Sequence, residues 1–213
     1  MKILARQLSL VLLFCLSLSC NERKEGKEPS DQNLSAKDTA HHVTTETVNA
    51  YANIDISPMD MSYYPVDYPK LKMENKNMPL PVMRVIYSRP HLQNRELFTN
   101  ILKYGERWRL GANESTEIQF YRDVTIQGKS IKTGRYILYC IPQPDKWAIV
   151  LNSNTDSWGL KQDITRDIQK FEIPVTHHNS ALEYLTIVFE KSGTGANLIM
   201  AWGEEVAKLP ITL

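Results

Sequence analysis

The chain predicts an all-β domain: an antiparallel β-sandwich of jelly-roll type with one long connection that carries a short helix. Three observations predict it. Short apolar or alternating segments recur at Val82–Tyr87, Glu117–Arg122, Val124–Ile126, Ser130–Lys132, Arg135–Ile141, Lys146–Leu151, Phe171–Val175, Leu182–Glu190, Asn197–Trp202 and Val206–Ile211. Turn signals separate them, among them Gly128-Lys129, Thr133-Gly134 and Ser192-Gly193-Thr194-Gly195. Regular short strands punctuated in this way build sandwiches rather than βαβ units. The third observation is a single interval, Arg89 to Ser115, that is too long for a turn and holds a helical pattern.

Length and charge bound the rest. The 213 residues, 42% of them hydrophobic, suit one globular domain with appendages. The formal net charge is +1, and removing Lys2 and Arg6 with a leader leaves 23 basic residues against 24 acidic ones. That balance supplies no electrostatic reason to bind nucleic acid or to lie along an anionic membrane.

The N-terminus reads as a leader, residues 1–19. Lys2 and Arg6 form a basic region, and Leu8–Leu18 is an apolar run too short to span a bilayer. Ser17-Leu18-Ser19-Cys20 follows and resembles the lipobox of bacterial lipoproteins, although lipoboxes favour Leu where Ser17 stands. The resemblance implies cleavage before Cys20 and acylation of its sulfur, so the expected partner is a lipid bilayer of the cell envelope. The alternative is an ordinary cleaved secretory signal. Two or three acyl chains anchor stably where one would not. With Cys15 discarded and Cys20 lipidated, Cys140 is left as the only free thiol, and its setting in Tyr136–Ile141 reads as a buried small hydrophobe.

From Cys20 to Asn53 the chain is polar and has no material for a core, which predicts a disordered tether with a span of roughly 30 Å. His41-His42 lies there without a third metal ligand at useful spacing. Asp38-Thr39-Ala40 is similar to a short acidic-hydroxyl-small motif that some envelope bacteria glycosylate. Ile54–Pro81 then carries five prolines among methionines and tyrosines, and this spacing predicts an extended strap with no helix. Met59 and Met61 read as packing residues, because neither His nor Cys stands beside them. The globular domain is expected over residues 54–213. Gly128-Lys129-Ser130 is no phosphate loop, since Asp123 holds the place of its first glycine and a strand follows.

The long connection concentrates the chemistry. Asn94 is placed to cap a helix whose apolar face is Leu97, Phe98, Ile101 and Leu102, with Gly105 as a left-handed stop. Glu106-Arg107-Trp108-Arg109, if extended, puts both arginines on one side and the indole on the other. Gly111 and Ala112 leave room for close approach before Asn113 and Glu114.

Five blocks carry a family resemblance: Ser57–Tyr63, Val85–Pro90, Tyr104–Glu114, Gly134–Pro142 and Asn152–Gly159. Over residues 54–213 the chain resembles the bacterial family catalogued as domain of unknown function 2911. The resemblance implies an envelope lipoprotein or secreted β domain and no particular reaction. Family members usually carry glycine near Asn94 and an acidic residue where Gly203 stands.

Two readings compete for the connection. In one, Arg89 and Arg109 pair with Glu114 and backbone carbonyls, and Trp108 belongs to the core. In the other, Arg89, Arg109, Asn113 and Glu114 converge on a pocket walled by Trp108 and Trp158, with Tyr87 in the same set. Arginine's planar fork suits a carboxylate, a phosphate or a sugar, so this reading makes the chain a binding module for a small polar or anionic ligand or an envelope glycan. The runner-up is a hydrolase with Glu114 as general base and Arg109 stabilising an anion. It lacks a supporting cast: Ser88 has only His91 nearby, His177-His178 reads as solvent-facing, and no motif implies a metal or cofactor. A third reading is an envelope adaptor using the tyrosine-rich strap.

Overall fold

The computed structural model describes residues 56–213, and they form an antiparallel all-β fold. The leader, Cys20, the tether, Asp38-Thr39-Ala40 and His41-His42 lie outside the described residues. Nine strands make one sheet: β1 (Met59–Tyr64), β2 (Met83–Ser88), β3 (Thr116–Phe120), β4 (Val124–Ile126), β5 (Lys129–Ile131), β6 (Gly134–Pro142), β7 (Lys146–Asn152), β8 (Asp167–Ser192) and β9 (Gly195–Thr212). Their order is β1-β2-β3-β6-β7-β8-β9-β4-β5.

The two layers of the sandwich belong to this one sheet, which bends through β8. Residues Asp167–Pro174 of β8 pair with β7, and from Val175 onward the strand pairs with β9. The sheet returns on itself where Leu92 N–H donates to Glu183 O and Leu185 N–H to Pro90 O, both at 3.0 Å. Alternation then buries one face: Met83, Val85 and Tyr87 of β2 and Ile118 and Phe120 of β3 share a core with Leu185, Ile187 and Phe189 of β8 and Leu198, Met200 and Trp202 of β9. Each such side chain fully removed from water contributes roughly 1.5–3 kcal/mol. Cys140 lies in this core at 0% exposure, and burial pushes its thiol well up.

Three expectations are corrected. The strap holds a helix, α1 (Tyr68–Glu74), between Pro65 and Pro79. Pro69 sits in its first turn, where a missing N–H has no helical partner to lose. The first part of the strap is β1, an edge strand pinned by the Tyr64 hydroxyl, which donates to Gly195 O at 3.0 Å. Second, Phe171–Val175 and Leu182–Glu190 are one strand, and so are Asn197–Trp202 and Val206–Ile211. The nine steps from His177 to Thr186 face only the four from Glu205 to Ala201, so the polar stretch between them bulges from an unbroken strand. Gly203, at φ 60°, turns β9 at the same corner.

The third correction concerns the helix of the connection. It is a single wide turn, α2 (Leu97–Ile101), closed by Leu102 N–H donating to Leu97 O at 2.8 Å. Asn94 does not cap it. Asn94 takes φ 58°, a conformation open to glycine and asparagine, while Asn100 Oδ1 accepts the Glu96 N–H at 2.9 Å. Leu97 and Leu102 are buried as expected, and Phe98 and Ile101 pack against the core. Gly105 is left-handed at φ 79° but comes after the turn has ended.

Candidate functional site

The connection lies on the core through Trp108. Its backbone pairs with Cys140 by two 2.8 Å hydrogen bonds, which forces the expected alternation: the indole points inward while Arg107 and Arg109 stay accessible. The ring stacks on Trp202 at 5.7 Å, meets Trp147 edge-on at 6.0 Å, and donates from Nε1 to Gly111 O at 3.1 Å. The chain then reverses tightly. Leu110 and Asn113 take φ 56° and 55°, and Thr116 Oγ1 donates to Leu110 O at 2.7 Å.

Trp158-Gly159 packs on this reversal as a ridge. Gly159 takes φ 82°, and a Cβ there would overlap the Ser115 hydroxyl and press on Arg109 Cβ at 3.1 Å. Only glycine allows the approach. Arg109 Nη1 donates to Trp158 O at 3.4 Å, and Gln162 Nε2 to Gly159 O at 2.8 Å.

An open cleft lies on each side of the ridge. The first, about 420 Å³, has Trp108, Trp202, Ile101 and Leu102 in its walls and carries Arg95, Lys103, Arg107 and Arg109 against one acid, Glu106. Lys103 pairs with Glu106 at 3.5 Å. Among the described residues no carboxylate forms an ion pair with Arg95, Arg107 or Arg109. Arg95 donates only to the carbonyls of Leu92 and His91. Burial lowers the Arg109 guanidinium from its usual pKa, opposed by the charge of Glu114, which lies beyond ion-pair reach. Arg107 lies beside the Tyr139 hydroxyl, whose pKa is pushed up to about 12 by burial and by its hydrogen bond to Asp167.

The second cleft, about 530 Å³, lies on the outer face of β2, β3 and β6 and is lined by Glu114 and Trp158. Arg135 ties it together, binding Glu117 on the floor and Asp156 at 2.8 Å in the ridge loop. Those two carboxylates raise the Arg135 pKa.

The seven candidate residues therefore occupy three places. Trp108 and Arg109 line the first cleft, Glu114 and Trp158 the second. Tyr87, Arg89 and Asn113 bind elsewhere. Arg89 pairs with Asp60 at 3.2 Å and donates to Leu185 O and Thr186 Oγ1. Tyr87 is 1% exposed, its hydroxyl reaching Asp60 Oδ2 at 3.4 Å and its pKa raised by burial. Asn113 donates to Ser57 O at 3.4 Å. Sequence reasoning missed Arg95 and Lys103, which flank α2, and Asp60 in the strap. It also missed Arg84, Gln119 and Arg135, whose outward positions on separate strands look like an ordinary solvated face. The described residues contain no group of three or more His, Cys, Asp or Glu arranged to hold a metal ion.

The fold and its outer clefts define an antiparallel β-sandwich made from one bent sheet. A family model described as a protein of unknown function (DUF2911) matches residues 69–211, and the chain belongs to that family. No curated protein and no solved structure matches it.

Proposed function

We propose that the protein is an envelope lipoprotein, anchored through Cys20, whose domain binds a small anionic ligand in the cleft of Arg95, Arg107 and Arg109. One observation carries the ligand class: three guanidinium groups border one cleft without a carboxylate partner, beside a wall of tryptophan and small residues. Guanidinium groups without a carboxylate partner at an apolar wall favour a planar carboxylate or a phosphate, and each charge-assisted hydrogen bond contributes about 1.5–3 kcal/mol. The anchoring rests on the basic leader, its short apolar run and Cys20.

Calorimetric titration of pyrophosphate and of citrate tests the ligand class. At least one probe should bind, more weakly as salt is added, and Arg107→Ala should reduce its affinity about tenfold or more. Absence of binding by both probes, or equal binding by the variant, overturns the reading. For the anchor, Cys20→Ser should leave an uncleaved or unlipidated precursor, seen by its mass. Normal maturation of that variant overturns it.

A further inference from the structure

The second cleft has a different chemistry. Register places two rows of side chains across its floor: Arg84, Gln119 and Arg135 are cross-strand neighbours, and so are Ile86, Glu117 and Ile137. Such neighbours stand about 4.5–5.5 Å apart. Its charges nearly cancel, with Arg84 and Arg135 facing Glu114, Glu117 and Asp156. Arg135 is already committed to Glu117 and Asp156.

Two polar atoms of the floor have no partner. Arg84 Nε, a donor, and Gln119 Oε1, an acceptor, are both shielded from solvent without a hydrogen bond. A buried polar group left unmatched is costly, so a donor and an acceptor left unmatched beside one cleft point to a ligand that supplies both. Trp158, 54% exposed, lines the same cleft from a ridge held in place by Gly159. The other tryptophans, Trp108, Trp147 and Trp202, are all buried.

We infer that this cleft is a saccharide site: a neutral sugar ring lies on the Trp158 indole while adjacent hydroxyls pair with Arg84 and Gln119. A sugar has one face of C–H groups suited to an aromatic plane. Its hydroxyls both donate and accept, so when the half-buried Arg84 and Gln119 side chains turn toward the ring, neighbouring hydroxyls satisfy the unmatched donor and the unmatched acceptor at once. The absence of excess positive charge disfavours the anions that suit the other cleft. The volume falls within the range of small-ligand sites, roughly 300–1,000 Å³.

Trp158 is its own reporter, being the exposed member of four tryptophans. The full chain is titrated with chitobiose, cellobiose and maltose while tryptophan emission is followed. At least one sugar should shift the emission saturably at millimolar concentration. Gln119→Leu should weaken that sugar about five- to tenfold, and Trp158→Ala should abolish both the signal and, by calorimetry, the binding. Arg107→Ala should leave sugar binding unchanged, so failure of the anion cleft and failure of this one are distinguishable. No response to any of the three sugars, full affinity in Gln119→Leu, or displacement of the sugar by pyrophosphate overturns the assignment.

Discussion

Arg89 opens the long connection and Arg109 sits near its end, yet the first guanidinium has an acceptor on each of its three nitrogens and the second on one. Arg89 meets a carboxylate, a carbonyl and a hydroxyl from β1 and β8, and lies 5.8 Å over the Tyr184 ring. Arg109 has one carbonyl at 3.4 Å and no ion pair, and it borders an open cleft. Residue type does not separate a structural arginine from a binding one. Partner count does, because a fork with every nitrogen engaged by the protein has less left to offer a ligand.

The ridge that separates the clefts is the most sensitive point in this comparison. Gly159→Ala forces a methyl group into Ser115 and strains a backbone held at φ 82°, so unfolding stability should fall by about 2–3 kcal/mol. Both clefts should lose their probes together, since Trp158 belongs to the ridge and Arg109 packs against it. A variant of wild-type stability that bound both probes would show that the ridge positions neither cleft.

Next in size is the more fully engaged arginine. Arg89→Met keeps much of the aliphatic stem but leaves Asp60 without its cation and Leu185 O without its donor. The ion pair is partly exposed, with side-chain exposures of 33% for Arg89 and 42% for Asp60, so water replaces part of what Asp60 loses. Denaturant midpoints should report a loss of about 1–2 kcal/mol, with anion binding retained. Loss of binding without loss of stability would reverse the roles assigned to Arg89 and Arg109.

How far these roles were legible in sequence follows from the same physics. Alternation disclosed the core face of β3, whose buried residues fall at every second position, while β2, β6 and β7 were legible as short apolar runs. The continuity of β8 and β9 was hidden, since a bulged, exposed corner such as His177–Ser180 is as polar as a loop. Helix α1 was hidden by prolines that happen to bracket it. Asn94 was read as a helix cap, whereas it adopts the left-handed conformation that glycine and asparagine take most readily. The floor of the second cleft could not be read at all. Arg84, Gln119 and Arg135 become neighbours only through strand register, which no local pattern encodes.

Arg109→Lys tests the less engaged side. Lysine keeps the charge and loses the planar fork, and the native partner it gives up is a single carbonyl at 3.4 Å. Stability should change by less than about 1 kcal/mol, while pyrophosphate or citrate affinity falls about five- to tenfold. A stability loss as large as that of Arg89→Met, with binding intact, would make Arg109 a scaffold residue like its counterpart.

The smallest effect is expected at Glu114. Its side chain is exposed, lines the second cleft and forms no ion pair among the described residues, although its charge acts on Arg109 across the reversal. Glu114→Gln removes that charge at constant shape, so unfolding stability should stay within about 0.5 kcal/mol of wild type. Anion binding should hold or tighten slightly, because a negative charge facing Arg109 through partly screened solvent opposes a second one. If the substitution destabilises the fold by several times that amount, Glu114 supports the Arg109 reversal directly, and the separation of the two clefts into independent sites no longer holds.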